Sequence, residues 1–191
     1  MPATDIALAT EYVDAERTQY LHSANDIEAR LVADGLYGDH WQRTLRFFRV
    51  WTSGGEGRVA VCQFAKFEGD LLKRIYATPV ECDALALDAS WTHEGTAYYA
   101  ALPDAYGSCP AGTEPLHRLF NQGRNGLAAH RYVTHAGVRD TMVAAGWHAE
   151  GIGDPAVFAC VPALAADQPP PVVEDERRGI GWPIPPSPRI R

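Results

Sequence analysis

The sequence predicts a mainly β fold with short helices, made of three pseudo-symmetric repeats in a β-trefoil-like arrangement. Three observations lead there. First, Arg74 to Gly95, RIYATPVECDALALDASWTHEG, returns as Arg131 to Gly151, RYVTHAGVRDTMVAAGWHAEG. Both copies place a tyrosine 15 residues before a tryptophan (Tyr76 and Trp91, Tyr132 and Trp147), and both continue as Trp-x-x-Glu-Gly, ending on Glu94-Gly95 and Glu150-Gly151. Paired anchors at fixed spacing mark an internal repeat. Second, short runs of aromatic and β-branched residues, which suit a pleated surface, alternate with turn residues. Third, similar units begin near residues 11, 62 and 118, a period of roughly 50 residues. The alternative is an α+β repeat fold with one outer helix per unit.

The expected domain is 1–162, with repeats at about 9–53, 58–104 and 113–162, each of four short strands and one helix. In the first unit, Glu11-Tyr12-Val13 and Tyr20-Leu21-His22 read as strands. Ser23 to Asp34 reads as a helix, with apolar residues at Ile27, Leu31 and Val32 and a stop at Gly35. Trp41 and Leu45 to Trp51 supply two strands. Residues 53–57, SGGEG, are a flexible joint without the Lys-Ser/Thr of a phosphate loop. In the second unit Val59 to Phe64 and Ile75-Tyr76 are strands, Pro79 opens a helix, and Trp91 and Thr96 to Ala101 follow as strands. A turn-rich joint at 105–112 leads to the third unit. There Leu116 to Phe120 and His130 to Thr134 are strands, Val138 to Ala145 is a helix capped by Gly146, and Trp147 and Ala156 to Val161 complete the unit. Closure about a shared axis would bury Phe48, Tyr99 and Phe158 and hide the sheet edges.

From Pro162 onward the character changes: this stretch holds eight of the chain's 14 prolines. Residues 163–191 read as an extended tail of polyproline character. Ile180, Trp182 and Ile184 are the expected partner-binding residues in it, against the chain's own domain or a neighbouring copy.

The 17 Lys+Arg against 24 Asp+Glu give a net charge of -7. That excludes a general nucleic-acid binder and a polybasic membrane patch. No apolar run is long enough to span a bilayer. The first residues show no basic n-region or apolar h-region, so no signal peptide is visible. Cys62, Cys82, Cys109 and Cys160 include no C-x-x-C and suit two disulfides in an exported protein. Four cysteines allow three pairings; the pairing expected is Cys62–Cys160, joining early and late strands, with Cys82–Cys109.

The Trp-x-x-Glu-Gly pairs admit two readings. Trp91 and Trp147 suit stacking on sugar rings, with Glu94 and Glu150 accepting hydroxyl hydrogen bonds. Equally, the tryptophans are core and the glutamates lock a turn; recurrence favours this, because each repeat must bury the same face. As a glycosidase pair the glutamates would need to lie within about 10 Å, and repeat-related positions are expected farther apart. No catalytic constellation emerges. His130 and His135 face opposite sides of a strand, there is no H-E-x-x-H, and Ser108 lacks G-x-S-x-G. No metal and no cofactor are expected.

The third unit carries His117-Arg118-Leu119-Phe120-Asn121, His130-Arg131-Tyr132-Val133-Thr134 and Gly146-Trp147-His148-Ala149-Glu150-Gly151. It resembles bacterial extracellular repeat domains of unassigned function, whose repeats read roughly Y-R-L-Y-N, H-F-Y-T, a short helix and G-W-x-x-E-G. Such domains are often attached to cell-wall hydrolases and peptidases. The resemblance covers about residues 9–162. The first two units depart from it, with Gln19 and Arg74 at the place of the histidine, and the first lacks Glu-Gly after its tryptophan. The resemblance implies a non-catalytic exported binding module, extracellular, periplasmic or at the cell surface, for a cell-wall or surface glycan. Trp91, Glu94, His130, Tyr132, Trp147 and Glu150 are then the candidate ligand residues. The alternative is a structural subunit of a surface appendage or secreted complex, self-assembling or docking a protein partner through the tail.

Overall fold

Each of three successive segments begins with a hairpin whose first strand goes on to accept a later partner. The computed structural model describes residues 5–35 and 37–164. The tail residues Ile180, Trp182 and Ile184 lie outside the described residues.

In the first segment β1 (Ile6–Asp14) pairs antiparallel with β2 (Gln19–Ser23), Tyr12 opposite Leu21, and with β3 (Trp41–Trp51), Ala9 opposite Phe48. Between them runs α1 (Asp26–Ala33). Its cap is Asn25, whose side chain accepts from the backbone N–H groups of Ile27 and Glu28. Only Val32 of the three expected apolar helix residues enters the core; Ile27 is 71% exposed and Leu31 41%. In the second segment β4 (Val59–Glu68) pairs with β5 (Leu71–Ala77) and β6 (Thr92–Ala100). Here α2 (Pro79–Leu85) starts with proline and a capping box between Thr78 and Glu81. In the third, β7 (Thr113–Phe120) pairs with β8 (His130–Val133), β9 (His148–Glu150) and β10 (Ala159–Pro162), and α3 (Ala136–Ala144) precedes β9. The strands form one six-stranded sheet, β2-β1-β3-β6-β4-β5, and a four-stranded one centred on β7.

The chain is therefore mainly β, with antiparallel sheets and short helices. Four strands per segment were expected, and the first two segments have three. Trp41 and Leu45 belong to one continuous strand, and Trp91 lies just ahead of β6. Only the third segment breaks its last strand. The break is an excursion at 151–157 that closes on an Ile152–Val157 bridge and contains Pro155, which has no N–H for a ladder.

Two aromatic sets fill the main core. Phe48 and Tyr98 come from the last strands of the first two segments, Phe158 lies just ahead of β10, and all three are 2–4% exposed. Tyr99 was expected in this set and is only half-buried, because successive side chains of β6 alternate and Tyr98 holds the inward parity. His22, Tyr76 and Tyr132 come from the second strands. The His22 ring stacks on Tyr76 at 3.7 Å and meets Tyr132 edge-on at 5.1 Å. The tyrosines also read backbone: Tyr132 Oη donates to Tyr76 O at 2.8 Å and accepts from Tyr76 N at 2.9 Å, while Tyr76 Oη donates to His22 O. Each hydroxyl thus stitches one segment's second strand to the previous one.

The disulfides are Cys62–Cys82 and Cys109–Cys160, with Cα atoms 6.2 and 5.6 Å apart. The expected pairing of Cys62 with Cys160 and Cys82 with Cys109 is thus incorrect. Cys62 pairs with Ala77 at the end of β5, which sets it beneath α2 and its Cys82. Cys160 lies on β10, in the other sheet, bridged to Ala101 and close to the 105–112 joint. Two disulfides suit an oxidising, non-cytoplasmic compartment. Among the described residues no helix is long and apolar enough to cross a membrane.

Two outcomes follow. Cys109–Cys160 spans 51 residues and Cys62–Cys82 spans 20. Chain entropy then makes the paired-serine variant of the first lose about 4 kcal/mol and that of the second about 3 kcal/mol. Urea titration of each variant reads this order directly. Burial, and then the Arg74 charge, hold His22 well below the usual histidine range, so it stays neutral in the fold. The unfolded chain takes up that proton below about pH 6.5, so stability is full above this value and falls as pH drops, by at most about 1.4 kcal/mol per unit. His117, lowered by burial, adds to the slope. Denaturation from pH 7.5 to 5.5 should show the decline, and His22→Phe should flatten most of it.

Candidate functional site

Three arginines sit on strands with little of their side chains exposed: Arg74 on β5 and Arg118 on β7 are buried, and the Arg131 side chain on β8 is 14% exposed. A buried guanidinium is tolerated only when carboxylates neutralise it. Each has one carboxylate partner from another segment, and Arg74 and Arg118 have a second from their own. Arg74 Nη1 lies 2.6 Å from Glu28 of α1 and Nη2 2.9 Å from Glu94 of β6, at angles that leave its N–H groups without a well-directed bond. Arg118 takes Glu81 of α2 at 2.6 and 3.0 Å and Glu150 of β9 at 2.8 Å. Arg131 grips Glu11 of β1 at 2.8 and 2.9 Å, and Thr44 Oγ1 donates to the same carboxylate at 2.9 Å. Glu28 and Glu81 both occupy the third position of their helices. There the carboxylate also faces the positive helix end.

Burial opposes the charge on Arg118, yet Tyr132, Glu81 and Glu150 raise its affinity for the proton above that of free arginine. Burial pushes Glu81 and Glu150 up, and this is outweighed. Arg118 holds Glu81 below its ordinary value, and the His130 hydrogen bond with Arg118 does the same for Glu150.

The six candidate ligand residues do not converge. Trp91 is half-buried over the Cys62–Cys82 staple, against Phe64 and Leu85. Tyr132 is core. His130 stacks on Phe120 at 4.7 Å and lies 3.4 Å from Glu150, whose other partner is Arg118. Glu94 holds Arg74 and accepts from Gln63 Nε2 at 2.9 Å. Trp147 packs half-buried on Leu119, Val133 and Met142, edge-on to Tyr20 at 6.1 Å. Arg118, Arg131, Glu11, Glu28 and Glu81 escaped the sequence reading. Glutamate three residues after the caps Asn25 and Thr78 was the available signal, since that position marks a helix start and, here, a clamp.

Two of the residues open on clefts. Trp147 forms a wall of a cleft of about 260 Å³, completed by Arg17 and Thr18 of the β1–β2 turn and Asn121, Arg124 and Leu127 of the β7–β8 loop. Glu94 opens on a cleft of about 360 Å³ between α1 and the β4–β6 pair. Ile27, Leu31 and Tyr37 face Gln63, Glu94 and Thr96 across it. Among the described residues no group of three or more His, Cys, Asp or Glu side chains is placed to hold a metal ion.

Comparison with known proteins bears on this arrangement once. The profile of a family described as "Domain of unknown function (DUF5648)" matches residues 13–156. No curated protein and no solved structure matches the chain.

The Arg131–Glu11 pair provides the test of the clamps, because the Glu11 side chain is 4% exposed and Arg131 is its cationic partner. Arg131→Leu should cost about 3–5 kcal/mol by leaving that carboxylate buried and unpaired. The double variant with Glu11→Leu should recover much of the loss. A double-mutant cycle in urea measures both.

Proposed function

The chain belongs to the DUF5648 family, and on that premise we propose that it is a non-catalytic exported binding module for a cell-wall or surface glycan. We read the fold as three repeats in trefoil-like closure. This is supported by the double pairing of each segment's first strand, and by the meeting of His22, Tyr76 and Tyr132, one from each segment, in one core.

The observation that carries the binding reading is Trp147. It stands half-buried at a cleft whose other walls carry the Arg17 and Arg124 guanidinium groups and the Glu16 carboxylate; the Asn121 amide, also in the lining, is spent on Leu127 O and on the Gly123 and Ala129 N–H groups. Sugars present apolar CH faces and polar rims, and an indole beside several hydrogen-bonding groups matches both. The cleft is built from the loops of two segments, so a ligand there reads a composite surface. Glu150, held by Arg118, acts as a support for the β8–β9 wall and not as a sugar acceptor. The alternative, a structural subunit docking through Ile180, Trp182 and Ile184, rests on residues outside those described, and nothing among the described residues favours it.

A glycan array probed with the full chain and with Trp147→Ala tests the reading. The full chain should bind a restricted set of cell-wall or surface glycans. Removal of the indole should weaken binding at least about tenfold, the worth of one stacked ring. An array with no signal, or one unchanged in Trp147→Ala with the fold intact by circular dichroism, would refute it.

A further inference from the structure

We propose that the larger cleft, between α1 and the β4–β6 pair, is a second ligand site, built for a compact, hydroxyl-rich ligand that carries no anionic group. It shares no lining residue with the Trp147 cleft. Its floor is unusual. His22 and Tyr98 line it from the core, at 3% and 2% exposure, and neither His22 Nε2 nor Tyr98 Oη has a hydrogen-bond partner. Buried polar groups are almost always paired, and each exception asks for an unseen partner. Nearby tyrosines obey that rule: Tyr76 and Tyr132 both use their hydroxyls. Other buried side-chain atoms among the described residues also lack a partner, the Arg74 guanidinium included, but these two belong to residues that line this one cleft.

The chemistry of the cleft selects the ligand. Burial keeps the Tyr98 hydroxyl protonated, so it offers a donor, and His22 is a neutral imidazole. The rim adds acceptors, the Glu28 and Glu94 carboxylates, which the single Arg74 charge only half neutralises. An anionic ligand is therefore repelled, while hydroxyl groups find both donors and acceptors. On the opposite wall, the exposed Ile27 and Leu31 side chains and the Tyr37 ring give the apolar face that a polyol's CH groups require. A volume of about 360 Å³ is at the lower end for small-ligand pockets, enough for one ring and not for a chain.

Two substitutions isolate the site. Thr96 is exposed on the cleft rim, so Thr96→Trp fills the cleft without entering the core. Tyr98→Phe removes a hydroxyl that no protein group holds, so the fold should be as stable or more so, while the ligand loses its donor. The probes are D-glucose, N-acetyl-D-glucosamine and D-glucuronate, titrated by saturation-transfer NMR against the full chain, both variants and Trp147→Ala. At least one neutral sugar should bind the full chain and Trp147→Ala alike, and glucuronate at least about tenfold more weakly. Binding should vanish in Thr96→Trp and fall about tenfold in Tyr98→Phe, with its melting temperature unchanged or raised. Binding abolished by Trp147→Ala but kept in Thr96→Trp would overturn this site and leave the glycan-module reading standing. A Tyr98→Phe protein that melts lower and binds equally well would also overturn it, by marking that hydroxyl as the anchor of a buried water. No binding of either neutral sugar to any form would overturn it outright.

Discussion

Charge burial at the seams between segments is the constraint on which this structure depends. Arg74, Arg118 and Arg131 each carry a full charge into a region where solvation is poor, and each is rescued by glutamates from an adjacent segment. A hydrophobic seam would tolerate slippage by a residue or a turn. A guanidinium held by one carboxylate, as Arg131 is, or by two, as Arg74 and Arg118 are, does not, because any other register leaves a naked charge. The clamps therefore specify how segments meet more than they add net stability. They also explain why the glutamates of the Trp-x-x-Glu-Gly pattern are occupied. In the first segment Thr44 follows Trp41 by three residues, as Glu94 follows Trp91, and it bonds to Glu11 while Arg131 supplies the charge.

Inside these seams the tyrosine hydroxyls repeat the device without charge. Tyr132 bonds to the backbone at Tyr76, and Tyr76 to the backbone at His22. The series stops at His22, whose ring stacks on Tyr76 yet leaves Nε2 without a partner. Substitution of a shorter ring at one of three comparable places thus gives up a hydrogen bond in the centre of the fold. The α1 helix, beside that place, is also the wall of the larger cleft. The unpartnered His22 ring and the cavity thus occur at one place.

Much of the fold was legible in the residues. Aromatic and β-branched runs located the strands, and Gly35 and Gly146 the ends of two helices. The errors have physical causes. Tyr98 and Tyr99 are both good strand residues, and only the parity of β6 decides which one faces inward. Cysteine pairing depends on which strands share a sheet, and Cys62 and Cys160 do not. The clamps were the least visible feature. Glu11 and Arg131 are 120 residues apart, and neither stretch hints at the other. Trp147, which lines the smaller cleft, stood out through its motif, whereas the floor of the larger cleft did not, because unpartnered atoms have no sequence signature.

The Cys109–Cys160 bond has a mechanical meaning as well as a thermodynamic one. β10 ends the described chain, running antiparallel to β7, with Pro162 opposite Thr113 and Cys160 opposite Pro115. A pull applied beyond Leu164 can strip Pro162 and Val161 from the sheet. It then reaches a covalent link, and the load passes to the loop before β7 instead of opening the remaining ladder. Under a load from the C-terminal side, the bond places a stop two residues into β10, the last of the described strands.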